Sequence, residues 1–244
     1  VLAGSVVMVA GGVVGAAGGS PAGDGGAPVA STTTTRPPTT VRPLASEPGL
    51  APVISRVDTT DPVVFLTIDD GHTRDPELAG VLDELGVTAT LFLVDNPITQ
   101  GTEFFRELPG TVVEGHTRSH ADLRGRPEAV QRGEICGNAD TASLAFRRRP
   151  VLFRPPYGHY DEATRRAAAS CGMAAIVLWE QTVDGTAMSY RHEPRLRPGD
   201  ILLFHFRPGL ADELRWAVEQ VEAAGLRVAL LEEYLVPRSV GPRD

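Results

Sequence analysis

The chain contains no lysine; all 23 of its basic residues are arginine, a composition bias rather than a sign of function. Against them stand 31 acidic residues, for a net charge of -8. A chain so short of positive charge does not suit a phosphate backbone, which excludes nucleic acid as an expected partner. Between Val1 and Leu50 the charges of Asp24, Glu47, Arg36 and Arg42 cancel, so the excess acid belongs to the remainder. Cysteine is scarce too, limited to Cys136 and Cys171. Neither their spacing nor their neighbours suggest a thiolate metal centre. In an exported chain such an even pair reads as a disulfide, here between the long helix and the helix before the fifth strand. No internal repeat is present. What remains, 244 residues of which 42% are hydrophobic and 22% charged, suits one globular domain with a sizeable core plus a tail.

Val1 to Ala17 is an uncharged run of Val, Ala, Gly, Leu and Met, so residues 1–30 read as a signal peptide or a membrane anchor. Its many glycines disfavour a soluble helix. Ser31 to Pro43 is rich in Thr and Pro, a composition expected to stay extended, so 31–55 reads as a linker, 56–237 as the catalytic domain and 238–244 as a tail. The domain would be secreted or cell-surface associated and monomeric, touching a membrane only through that anchor.

Within the domain, strand patterns at Val63 to Ile68, Thr88 to Val94, Thr111 to Glu114, Val151 to Phe153, Met173 to Leu178, Ile201 to His205 and Arg227 to Leu230 are separated by helix patterns. The helices fall at Pro76 to Leu85, Thr102 to Leu108, Pro127 to Phe146, Asp161 to Ser170 and Ala211 to Ala224. Such alternation predicts an α/β fold with a mostly parallel sheet of about seven strands, either open or closed as an irregular (β/α) barrel.

The chain is organised around Val63 to His72. A strand of β-branched and apolar residues there ends in two adjacent carboxylates, Asp69 and Asp70, and Gly71 breaks the strand so that both can face one cleft. A solvated turn with an Asp cap is the competing reading. Just past another strand end, His116 and His120 are spaced i, i+4, which would put both imidazoles on one face of a helical turn. Two histidines and a carboxylate suffice for a divalent metal with open positions. Two more strand ends deliver Arg154-Pro155-Pro156-Tyr157 and His205 to the same rim. Singly, Arg154 reads as a surface charge and His205 as a core histidine; together the set reads as a site.

These motifs, in order and spacing, resemble the polysaccharide deacetylase family, the NodB-homology group of carbohydrate esterases. The resemblance spans Pro62 to Tyr234. Thr67-Ile68-Asp69-Asp70-Gly71 is similar to the first motif, His116 to His120 to the metal motif, and Arg154 to Tyr157 to the third. The resemblance implies an irregular NodB-like barrel. It makes Asp69 the general base, Asp70, His116 and His120 the metal ligands, and His205 the general acid. Arg154 would orient Asp69, and Pro156 and Tyr157 would face substrate, with the Tyr157 backbone N–H on the oxyanion. The cofactor implied is a divalent metal, Zn²⁺ foremost, with Co²⁺, Ni²⁺ or Mn²⁺ as substitutes. The partner is a glycan carrying N-acetylated amino sugars, with peptidoglycan leading because of the export segment and linker.

The fourth motif departs from the family pattern. Trp179 is assigned to a pocket wall, with a plain core aromatic as the alternative, and Asp184, then Glu180, to the partner of His205. Phe204 and Phe206 flank His205 with bulk that would narrow the acyl pocket. Three other readings compete. A non-haem Fe(II) oxygenase leaves Asp69, Arg154 and His205 without roles, and a silent glycan-binding module predicts a lost ligand that is not lost. An O-acetyl esterase on xylan or another glycan merely relaxes the need for His205.

Overall fold

The computed structural model describes residues 47–235. The expected export segment, the linker up to residue 46 and residues 236–244 lie outside the described residues. The chain forms, in order, β1 (Val53–Ile54), β2 (Val63–Asp70), α1 (Leu78–Leu85), β3 (Ala89–Leu93), α2 (Asp95–Glu107), β4 (Thr111–Gly115), α3 (Glu128–Phe146) and β5 (Leu152–Phe153). There follow a 3₁₀ turn (Pro156–Gly158), α4 (Glu162–Ser170), β6 (Ala175–Val177), β7 (Gln181–Asp184), β8 (Ala187–Tyr190), β9 (Ile201–His205), α5 (Leu210–Ala223), β10 (Arg227–Val228) and α6 (Glu232–Leu235).

The strands form one curled sheet in the order β1-β6-β5-β4-β3-β2-β9-β7-β8, parallel except for the β7–β8 hairpin, with β10 paired to the start of β2. The sheet is therefore α/β as expected, an irregular half-barrel with edges at β1 and β8 rather than a fully closed ring. Its centre is β2, buried from Val63 to Asp69. Successive strand residues face opposite ways. Val64, Leu66 and Ile68 pack outward against α1, α2 and α5, while Val63 and Phe65 pack inward with Phe92, Val177, Ile201 and Tyr234. Thr67 and Asp69 continue the inward face, which sets Asp69 on top of the inner core at the carboxyl end of the strand.

Three strands escape the sequence pattern. Val53–Ile54 falls within the expected linker but pairs with Ile176 and Val177 of β6, and Ala51 before it is buried, so the folded domain begins before residue 56. The β7–β8 hairpin turns at Gly185 and Thr186; the pair Asp184-Gly185 before it is a turn signal, although the segment reads as the fourth motif. The second helix begins at Asp95, seven residues earlier than its apolar pattern, and bends at Gly101. Cys136 of α3 and Cys171 at the end of α4 are joined by a disulfide, as expected.

Candidate active site and metal centre

The two carboxylates at the end of β2 part company through a backbone inversion. Alternation alone would send Asp70 to the outer face, but its φ is 79° and that of Gly71 is 92°, so the chain turns one residue before the glycine and Asp70 swings back to the cleft. Gly71 is required for space as well. A Cβ there would lie 2.9 Å from both Leu93 Cδ2 and Pro97 Cβ.

Arg154 lies fully buried beneath this pair. Its Nη1 donates to Asp69 Oδ1 at 2.7 Å and to Thr67 Oγ1 at 2.8 Å. Nε and Nη2 donate to the carbonyls of Val177 and Leu178, each at 3.1 Å. The guanidinium centre stands 4.3 Å from the Phe92 ring centroid. Burial lowers the pKa of this guanidinium, and Asp69 opposes that effect. With four of its five N–H groups so engaged, the cation holds Asp69 by Oδ1 and leaves Oδ2 facing the cleft.

His116 and His120 converge on Asp70, though not by the helical turn expected from their spacing. The segment carrying them is a loop, with left-handed φ at Thr117 (68°) and His120 (58°), a geometry no α-helix contains. Side chains replace the missing backbone bonds. Asn138 Oδ1 accepts from the His116 N–H at 3.0 Å, and Glu134 Oε2 accepts from the N–H groups of Arg118 and Ser119, each at 3.0 Å. His116 Nδ1 lies 2.8 Å from the Arg154 carbonyl oxygen, which assigns the proton to Nδ1 and leaves the Nε2 lone pair toward the cleft.

His116 Nε2 and His120 Nε2 stand 3.4 and 3.2 Å from Asp70 Oδ1, and one ligand atom from each of the three residues lies within 4.8 Å of the others. Asp70 Oδ1 is buried with no hydrogen-bond partner. Burial acts to raise the Asp70 pKa, but the two imidazoles outweigh it and hold the carboxyl well below the usual carboxylate range. Asp70 in turn lifts His120 above the usual imidazole range, against its burial. Two imidazole nitrogens converging with a buried carboxylate oxygen that has no hydrogen-bond partner call for a positive charge, and two nitrogens with one oxygen fit a divalent cation.

A cavity of about 280 Å³ opens over this cluster, lined by Asp69, Asp70, His116 and His120 and walled by Tyr157, Trp179, Thr182, Leu203 and His205. His205 ends β9, in register with Asp69 across the sheet. Tyr157 sits in the 3₁₀ turn behind the buried Pro156, with φ 61°. Trp179 forms a wall, and a Cβ on Gly158 would lie 3.0 Å from its Cη2. Of the five non-glycine residues with positive φ among the described residues, four (Asp70, Thr117, His120 and Tyr157) belong to this site, and the fifth, Arg147, caps α3.

Two expectations fail. Asp184 is not brought to His205: it ends β7 at the hairpin turn, its side chain 78% exposed, 2.8 Å from Arg207. Glu180, the second choice, is turned to Ser55 (2.5 Å) and His192 (2.7 Å). No carboxylate hydrogen-bonds the His205 ring among the described residues. Phe204 and Phe206 do not narrow the cavity either. Alternation about His205 sends both into the outer core, where Phe206 packs edge-on against Phe105 at 5.5 Å.

The strand-end order Asp-Asp, His-x-x-x-His, Arg-Pro-Pro-Tyr and His is thus gathered round one cleft, and a family profile described as polysaccharide deacetylase matches residues 56–176. The chain belongs to the polysaccharide deacetylase family. An uncharacterized protein of Streptomyces coelicolor is 44% identical over 194 residues, 76% of this chain and 78% of that protein. A peptidoglycan-N-acetylglucosamine deacetylase of Bacillus cereus is 27% identical over 183 residues, 69% of this chain and 66% of that enzyme. A CE4 family pseudoenzyme from Bacillus anthracis has the same fold, with a TM-score of 0.65 at 18% identity over 75% of this chain and 68% of that one. Membership of the polysaccharide deacetylase family therefore settles the scaffold, and activity must be argued from the residues in the cleft.

In this member of the family the supports of the site were the part not legible in the sequence. Glu134 and Asn138 hold the histidine loop, and Asp95 accepts from Asn138 Nδ2 at 2.8 Å and Arg118 Nε at 3.1 Å. Glu134 and Asn138 are i, i+4 on one helix face, but nothing local says that this face meets the loop. Thr182 and Leu203 enter the cavity wall through the unrecognised β7 and its pairing with β9.

Proposed function

We propose that the protein is an exported, metal-dependent hydrolase that removes acetyl groups from N-acetylated amino sugars of a glycan, with cell-wall peptidoglycan first among candidates. The observation that carries this reading is the division of labour between adjacent carboxylates: Asp69 is tied to Arg154 by one oxygen only, while Asp70 joins two histidines.

Asp70, His116 and His120 would hold the metal, Zn²⁺ by preference for this donor set. A bound divalent cation supplies Lewis acidity to the acetyl carbonyl and to the attacking water. Asp69 Oδ2 takes the proton from that water as its oxygen bonds to the acetyl carbon. The backbone N–H of Tyr157 donates to the oxyanion of the tetrahedral intermediate. His205, across the cleft, gives a proton to the nitrogen as the C–N bond breaks, and the products are acetate and a free amino sugar. Trp179, Thr182 and Leu203 line the space beside these groups, which suits a methyl.

The bare His205 ring favours a second reading. With no carboxylate to orient it as a proton donor, it serves an alcohol leaving group, which needs less protonation, better than an amine; the substrate is then an O-acetylated glycan such as xylan. The deciding experiment measures acetate release from chito-oligosaccharides, peptidoglycan and acetylated xylan, with chelator and with Zn²⁺ restored. Chelator-sensitive acetate from the first two supports the amide reading, and from xylan alone the ester reading. Asp69→Asn should abolish turnover with metal content unchanged; retained turnover removes Asp69 as the base.

A further inference from the structure

Asn138 does more than hold the histidine loop. It lies fully buried in α3, and its amide is shared among three separate segments. Oδ1 accepts from the His116 N–H at 3.0 Å, while Nδ2 donates to the Leu93 carbonyl at 3.1 Å and to Asp95 Oδ1 at 2.8 Å. Leu93 ends β3, the strand between the two that deliver Asp70 and His116. It is in register with Asp70 of β2 on one side and with Gly115, next to His116, on the other. One side-chain amide therefore spans the strand end beside Asp70 and the strand end that carries His116. Gly115 keeps the space it needs, since a Cβ there would lie 3.2 Å from Asn138 Oδ1. Glu134 also supports the loop, but its bonds all go to Arg118 and Ser119 within it.

The amide has one workable orientation. A donor faces Oδ1 and two acceptors face Nδ2, so neither a flipped amide nor a carboxylate of the same size satisfies all three. Asp95 is itself held from the far side. Its Oδ2 accepts from Arg118 Nε and from Thr141 Oγ1, each at 3.1 Å, and its N–H donates to the Arg118 carbonyl at 3.3 Å. The end of β3, the head of α2, the middle of α3 and the histidine loop are thus joined through two side chains. Groups that orient ligands from behind govern how tightly a metal is held, because the ligands need not be reordered when it binds.

We infer that Asn138 is a positioning residue that fixes His116 relative to Asp70, and that it thereby sets the affinity of the protein for a divalent cation without being a ligand. Asp95 acts with it by holding the donor side of its amide. The inference rests on the metal site proposed above, and its test keeps the two apart.

Metal is stripped from wild type and variants, and Zn²⁺ affinity is measured by competition with a chromogenic chelator, with the Co²⁺ absorption spectrum as a second readout. Asn138→Asp keeps the size of the side chain but turns an oxygen toward the Leu93 carbonyl and Asp95. It should weaken Zn²⁺ binding about 10- to 100-fold and alter the Co²⁺ spectrum. Adding Asp95→Asn exchanges amide and carboxylate, restores the bond between positions 95 and 138, and should recover about threefold or more of that loss. Thr141→Val cuts a different α3 bond to the same Asp95 and should leave Zn²⁺ affinity within about twofold. If Asn138→Asp does not fold, Asn138→Ala takes its place, with a weakening of about tenfold expected. Wild-type affinity in the Asn138 variant, no recovery in the double variant, or an equal loss in Thr141→Val refutes the inference. If wild type binds neither metal, the proposed metal site is what has failed. The hold on His116 is then read by amide hydrogen exchange: loss of protection at the His116 N–H in the Asn138 variant, with β2 amides still protected, upholds the positioning role, and unchanged protection refutes it.

Discussion

Glu232→Gln should remove a loss of stability that the wild type suffers as pH rises. Glu232 lies in α6, 9% exposed, with both carboxyl oxygens on Thr90 Oγ1 at 3.1 and 2.9 Å. Burial first, and then the neighbouring Glu114, push its pKa from 4.5 up to about 8. Glu114 is also raised by burial, but Arg148 at 2.5 Å and the N–H groups of Val151 and Leu152 at 2.7 and 2.8 Å make it the ionised partner. The proton therefore sits on Glu232. Between the unfolded value of 4.5 and the folded value of about 8, the folded state binds the extra proton, so stability is fully present below that window and falls as pH rises through it. At about 1.4 kcal/mol per pH unit the loss reaches roughly 4 to 5 kcal/mol. That is a large share of a typical folding free energy of roughly 5 to 15 kcal/mol. Glutamine keeps the shape and the contact with Thr90 and cannot ionise. Urea unfolding from about pH 5 to about pH 9 should show the wild-type midpoint falling and that of the variant nearly level. Parallel curves for the two proteins would refute the reasoning.

The other predictions concern the scaffold under the cleft. Arg154→Leu leaves Asp69 as a buried unpaired charge and strips the donors from the Val177 and Leu178 carbonyls, so it should destabilise by about 3 to 5 kcal/mol. An unchanged unfolding midpoint would contradict the buried network. Gly71→Ala combines an unfavourable φ of 92° with two contacts at 2.9 Å and should cost about 2 to 4 kcal/mol; thermal unfolding reads it. Replacing Cys136 and Cys171 by Ser opens a loop between residues 35 apart and should cost about 4 kcal/mol. If the double variant unfolds at the same denaturant concentration as wild type, the bridge adds no stability.

Much of the molecule was legible because the relevant physics is local. A doubly buried parallel strand is built mostly of β-branched and apolar residues, so Val63 to Ile68 announces itself, as do Ile201 to Phe204 and the helices with one apolar face. The short pieces were not legible. Val53–Ile54 and the β7–β8 hairpin derive their strand character from neighbours in the sheet rather than from any pattern of their own. Asp184 was misplaced because its Asp-Gly turn was read as part of a motif, and nothing in the sequence records the Arg207 that receives its side chain.

The residue types able to do the chemistry, and their placement at strand ends, follow from the chain as written. Their convergence does not. Adjacent carboxylates at the end of a strand diverge unless one inverts its backbone, and Asp70 is inverted only because Gly71 fits between Leu93 and Pro97. The two histidines meet through left-handed residues stabilised by Glu134 and Asn138 from a distant helix, not through helical periodicity. Arg154 selects one oxygen of Asp69 because four acceptors from two strands and a loop engage four of the five N–H groups of its guanidinium. Such over-determined positions arise only when segments far apart in sequence are packed together, and that packing is what the tertiary structure adds.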